Sequence, residues 1–302
     1  MTAATPSAHV EAEMVTQPAN WLAAGRTVSE YAALFPRRGE RTAVVGCGTS
    51  LFMAQSYAAM REASGQGVTD AWPASEARLD REYDRVVAIT RSGTTTEIVE
   101  LLQSIRGRVP ATVIVATPGT PVVELADAIV TPEVDERAIV QTRFATATLA
   151  MLRKSLGDDL TEAARQAELI LAADESSLGP ALDADQITFV GRGWTTGLAN
   201  EAALKLRETA QLWTEAYPMM EYRHGPISIS RPGRVVWALG EPVPDLARDV
   251  MATGAAFEHA DVDPMAELVR VHRLCVVRAR AEGLNPDEPR NLTRSVMLKD
   301  SR

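Results

Sequence analysis

Short runs of valine, isoleucine and alanine recur along the chain, separated by stretches whose apolar residues have helical spacing. This alternation is the pattern of a parallel sheet wound with helices, because parallel neighbours need a long crossover between them. Residues 42–45, 85–90 and 112–117 predict strands in the first half, and 187–190 and 234–239 predict them in the second. Each run is nearly continuous in apolarity, as a strand covered on both faces should be. Helices are predicted over 92–105, 145–156, 160–173 and 198–213. Residues 10–35 read as leading helices packed on the first α/β unit, with Pro18 at a helix start.

The two halves resemble each other. AVVGCGTSLFMA (43–54) aligns with TFVGRGWTTGLA (188–199), each reading as strand, G-x-G turn and helix. The expectation is one α/β unit present twice, each a parallel sheet flanked by helices in a three-layer, flavodoxin-like arrangement. The stretch SSLGPALDADQ (176–186) is the expected joint. The expected division is 1–165, 166–283 and a C-terminal tail at 284–302.

Composition excludes several function classes. The 302 residues carry 31 Lys+Arg against 40 Asp+Glu, a net charge of −9, with no basic stripe for a nucleic-acid partner. No apolar run approaches the roughly 18–20 residues of a membrane span. The first twenty residues lack the basic and apolar regions of a signal peptide, so a cytoplasmic setting is expected. Two cysteines, Cys47 and Cys275, form no CxxC pair, and Cys47 reads as a buried structural thiol. The four histidines follow no metal spacing. Glu258, His259, Asp261, Asp263, His272 and Cys275 read mostly as an exposed acidic helix end, so neither metal nor cofactor is expected.

Two loops could hold an anion. Gly46-Cys47-Gly48-Thr49-Ser50 and Thr90-Arg91-Ser92-Gly93-Thr94-Thr95-Thr96 each follow a strand and open a helix. Amide groups at a helix start attract negative charge, and the second loop adds five hydroxyls in seven residues. A lone G-x-G turn or a hydroxyl-rich helix cap is weak evidence; two at the ends of parallel strands would converge on one crevice. The first loop lacks the third glycine of a dinucleotide fingerprint, and no GxxxxGK[ST] occurs. A sugar phosphate is the expected anion.

The stretch ANEAALKLRETAQLWTEAYPMMEYRHGP carries the acid–base chemistry. Glu201, Lys205 and Glu208 fall at i, i+4 and i+7, hence on one helix face. A solvated face with a Glu–Lys pair, worth about 0.2–0.5 kcal/mol, would explain that spacing as well. Beyond it, Glu215, Glu221 and His224 are expected in a loop containing two prolines. Such groups suit a metal-free aldose–ketose interconversion, with a carboxylate carrying a proton between C1 and C2. A nearby lysine would stabilise charge developing on oxygen.

Taken together, these motifs resemble the SIS (sugar isomerase) family in its tandem form. The likeness is to the isomerase half of glutamine–fructose-6-phosphate aminotransferases and to stand-alone relatives, the SIS-type glucosamine-6-phosphate deaminases and tagatose/galactosamine-phosphate isomerases. It covers nearly the whole chain, from EAEMVTQPANW through GCGTS, TRSGTTTE and the catalytic stretch to NPDEPRNLTRSV. The resemblance implies contacts to the phosphate and substrate from Gly48, Thr49, Ser50, Thr90, Arg91, Ser92, Thr95 and Arg294. It implies Glu208 as the C1/C2 base with Lys205 beside it, and His224 as the ring-opening group, supplied by the neighbouring subunit of a homodimer. The tail 284–302 is implied to lie over the active site.

Two departures bear on the substrate. Arg294 replaces the family's usual tail lysine, and a guanidinium cannot form an imine. Gln141-Thr142-Arg143 stands where Ser-Thr-Lys is usual. With no N-terminal cysteine nucleophile, the chain is not expected to draw ammonia from glutamine. The expected function is a phosphosugar isomerase or deaminase acting on an amino-sugar or hexose 6-phosphate, glucosamine-6-phosphate-like. The alternatives are a sugar-phosphate sensor without turnover and a deglycase of a fructosamine-type sugar phosphate.

Overall fold

A computed structural model describes residues 7–298 of the chain; the first six residues and the last four of the expected tail lie outside them. In order the elements are α1 (Ala8–Met14), α2 (Gln17–Glu30), β1 (Thr42–Gly46), α3 (Thr49–Ala63), β2 (Thr69–Pro73), β3 (Arg85–Thr90) and α4 (Thr96–Ile105). There follow β4 (Ala111–Val115), β5 (Asp127–Val130), α5 (Arg143–Ser155), α6 (Thr161–Ala172), β6 (Gln186–Gly191), α7 (Thr195–Ala210) and β7 (Trp213–Pro218). Then come α8 (Met219–Tyr222), β8 (Arg234–Leu239), α9 (Leu246–Met251), β9 (Ala256–Glu258) and α10 (Pro264–Ala281). They fall into two compact units.

One unit holds residues 20–136, 143–160 and 293–298. Its five strands are all parallel, in the order β2-β1-β3-β4-β5. β1 and β3 are buried at every residue, which is why they read as unbroken apolar runs. Helix α4 buries Ile98, Leu101, Leu102 and Ile105, a stripe at helical spacing, in one cluster with Val86, Ala88, Val113 and Val115 of the sheet.

The other unit holds residues 7–19, 137–142 and 161–292. Its parallel strands run β7-β6-β8-β9, the same opening order as the first sheet. The duplication extends to the turns. Gly46 and Gly191 end β1 and β6, and Gly48 and Gly193 follow at φ 54° and 57°. The expected fold class is therefore matched by two parallel sheets flanked by helices.

Several local expectations are corrected. Helix α1 belongs to the second sheet's unit rather than the first. Val10 and Met14 cluster with Ala138 and Val276, and the Asp287 carboxylate accepts the amides of His9 and Val10 at 2.9 and 2.8 Å. The helix expected to run to Trp213 stops at Ala210, because Gln211 turns left-handed at φ 52°. Glu215 then lies on β7 and Glu221 on α8, not in a loop. The supposed acidic helix end is dispersed: Glu258 ends β9, Asp263 caps α10 through the Met265 amide at 2.9 Å, and His272 and Cys275 are buried on α10.

Candidate functional site

In the five-stranded unit the strand order reverses between β1 and β3, and both candidate anion loops leave the carboxyl ends of these adjacent strands. The first loop needs glycine. A Cβ at Gly46 would lie 2.5 Å from the Ser50 carbonyl carbon, so only a bare backbone lets α3 start so close to β1. Thr49 and Ser50 open α3 and are buried. Cys47 is half-buried between them and the strand, and burial pushes its thiol up to about 11, which keeps it protonated.

The second loop is tied by its own hydroxyls. Thr90 Oγ1 accepts the Gly93 amide and Ser92 Oγ accepts the Thr94 amide, both at 3.3 Å. The hydroxyls of Ser92, Thr94 and Thr95 then meet at one point, the Ser295 hydroxyl, at 3.1, 3.0 and 3.3 Å. Arg91 turns inward. It pairs with buried Glu136 at 3.3 Å and donates to the Arg294 carbonyl at 3.4 Å, and burial lowers its pKa. Arg294 in turn donates to the Asp135 carboxylate, the Glu136 carbonyl and, at 3.3 Å, the Thr117 hydroxyl. Arg143 is anchored to the same segment, its amide on Glu136 at 2.8 Å and its guanidinium on the Asp135 carbonyl. The guanidiniums of Arg91 and Arg294 thus brace residues 135–136.

In the other unit, α7 brings Glu201, Lys205 and Glu208 together, as the spacing requires. They do not form a solvated face: Glu201 and Lys205 are fully buried. Lys205 Nζ lies 3.6 Å from Glu201 and hydrogen-bonds Glu208. Burial alone would depress the lysine, but the two carboxylates outweigh it and hold its pKa above the ordinary value, so it stays an ammonium. Behind it on α10 stands His272, held down at about 3 by burial and by the Lys205 charge, with Gln17 Nε2 at 3.3 Å from Nδ1. Cys275 beside it is pushed up to about 12, chiefly by burial.

Glu208 alone of the three reaches a cavity, of about 690 Å³, lined also by Arg207, Trp213, Glu215, Arg290 and Asn291. Arg207 hydrogen-bonds the Thr214 carbonyl at 3.0 Å. His224 is exposed after α8 and lies outside this lining. Among the described residues no group of three or more His, Cys, Asp or Glu is placed to hold a metal ion. No helix there is long and apolar enough to cross a membrane. Sequence reasoning missed Ser295, Glu136, Arg207 and Arg290; the nearest signal was the tail motif that contains Ser295 and Arg290.

Residues 37–153 of the chain match the SIS domain. Among its sequence relatives is the isomerizing glutamine–fructose-6-phosphate aminotransferase of Symbiobacterium thermophilum, 28% identical over 336 residues, covering 91% of this chain and 54% of that one. The chain spans about half the length of the curated relatives that it matches along most of its own length. Of solved structures, tagatose-6-phosphate ketose/aldose isomerase from Escherichia coli superposes with a TM-score of 0.82 at 17% identity, over 99% of this chain and 100% of that one. Glucosamine-6-phosphate deaminase from Thermotoga maritima gives 0.74 at 22% identity, over 96% and 100%. These two share its fold.

Proposed function

We propose that this chain is a phosphosugar isomerase and deaminase acting on an amino-sugar or hexose 6-phosphate of the glucosamine-6-phosphate type. The observation that carries this reading is the Glu201–Lys205–Glu208 row, two of its charges buried and its last carboxylate open to a cavity. Even when paired, buried charges pay a desolvation cost that apolar side chains would not, so this row fits a task better than packing.

The chemistry follows from that carboxylate. In the open-chain aldose Glu208 takes the C2 proton while O1 gains one, which leaves a C1–C2 enolamine. Return of the proton to C1 leaves an iminium at C2. Water adds at C2, the C2–N bond breaks, and ammonia departs from a ketose phosphate. Lys205, locked as an ammonium, hydrogen-bonds Glu208 and so holds the base in place. The amides and hydroxyls of Gly48, Thr49, Ser50, Thr90, Ser92 and Thr95 serve the phosphate, while Arg91 and Arg294 brace the loop and the tail. His224, exposed and away from the Glu208 cavity, opens the sugar ring from the neighbouring subunit of a homodimer.

A second reading is favoured by Arg207 and Arg290 in the cavity beside Glu208. Guanidiniums there suit a substrate whose nitrogen carries an acidic substituent, and release of a free amino acid would mark such a deglycase. For either substrate class Glu208→Gln is expected to lower turnover about 10²- to 10⁴-fold while sugar-phosphate binding persists. Unchanged turnover in that variant would remove Glu208 from the mechanism.

A further inference from the structure

The tail does more in the second loop than pass over it. Ser295 Oγ has three hydroxyl partners, as many as one donor and two lone pairs can satisfy. The amide of Thr96, the first residue of α4, would otherwise lack an intrahelical partner, and it donates to the Val296 carbonyl at 3.1 Å. Thr96 Oγ1 accepts the Leu298 amide at 2.9 Å. A hydroxyl oxygen in the Ser/Thr cluster and a carbonyl oxygen at the helix start are the contacts that two oxygens of a phosphate would make.

We propose that residues 294–298 are an internal occupant of the phosphate seat, with Ser295 standing where a phosphate oxygen binds, so that an arriving phosphate displaces this strap. The inference rests on the reading of loop 90–96 as that seat. The strap is built for release. Val296, Met297 and Leu298 are 53%, 66% and 63% exposed, so little apolar burial holds them down. From Ser295 to Leu298 the contacts are hydrogen bonds between neutral groups, each of modest net worth, whereas a phosphate brings charge to the same donors. The Arg294 guanidinium, fastened to Asp135 and Glu136, tethers the near end while the rest swings away.

The test uses the full chain and inorganic phosphate. Amide exchange at Leu298 is expected to quicken as phosphate saturates the protein, and trypsin is expected to cut faster after Arg294. Ser295→Ala, which removes the occupant but leaves the loop, is expected to tighten phosphate binding about two- to tenfold by calorimetry. Slower or unchanged exchange with phosphate bound would overturn the proposal, as would weaker binding by Ser295→Ala, which would make the serine a phosphate ligand. No phosphate binding in either protein overturns both this proposal and the seat itself. Phosphate binding with strap release, in a chain that turns over no sugar phosphate, supports the proposal and overturns only the proposed reaction.

Discussion

Lys205 and His272 show how single residues here take their properties from burial. The ammonium is kept out of water between two carboxylates, and the imidazole behind it stays neutral because no counter-charge compensates it. That asymmetry has a measurable consequence. An unfolded histidine binds its proton near about 6.5, whereas His272 in the folded chain does so only at about 3. Between those values the unfolded chain holds a proton that the folded chain does not, so this histidine's contribution to stability falls as pH drops through the window. The slope is at most about 1.4 kcal/mol per pH unit. Denaturant melts from pH 7 to pH 4 are expected to lose stability less steeply in His272→Gln than in the parent. Equal slopes would mean that His272 does not titrate as a buried neutral ring.

At the scale of elements, how readily a strand shows in the sequence follows its place in the sheet. β1, β3, β4, β6 and β8 are interior strands whose nearly continuous burial forces apolar runs, and all five are readable from sequence. The four that escaped are β2, β5, β7 and β9, the edges of the two sheets. An edge strand is covered on one side only, and sequences such as TDAWP and WTEAYP carry the polar residues and terminal proline that an edge tolerates. The G-x-G turns were readable for a different reason: they are set by backbone contact. Gly191 leaves only 2.2 Å between a would-be Cβ and the Thr195 carbonyl oxygen, matching the crowding at Gly46, whereas Gly25 in α2 meets nothing within 4 Å. Gly46→Ala and Gly191→Ala are each expected to destabilise by about 1–3 kcal/mol, while Gly25→Ala is neutral or stabilising. Thermal melts decide this. An undisturbed Gly191→Ala protein would mean that the β6–α7 turn has room to relax.

For the molecule as a whole, the chain brings two sets of functional groups, one on each repeated unit. The Ser/Thr loops and the α7 row were readable because each lies within one short stretch, where spacing alone sets the geometry. What was not readable comes from segments far apart in the chain. Ser295 joins hydroxyls some 200 residues earlier, His272 backs Lys205 from another helix, and Arg290 and Asn291 line the Glu208 cavity from beyond α10. The likeness in the tail points to Arg294 as a substrate contact; its guanidinium also engages Asp135 and Glu136, a pairing that no local pattern announces. In the proposed reaction Glu208 moves a proton on an amino-sugar 6-phosphate, whose nitrogen is then freed. This reaction is tested most directly by incubating the protein with glucosamine 6-phosphate, in parallel with galactosamine 6-phosphate, and quantifying ammonia and ketose phosphate together. Equal amounts of the two are expected from at least one of these sugars. Tight binding of both sugars, with neither ammonia nor ketose formed, would contradict the proposed reaction.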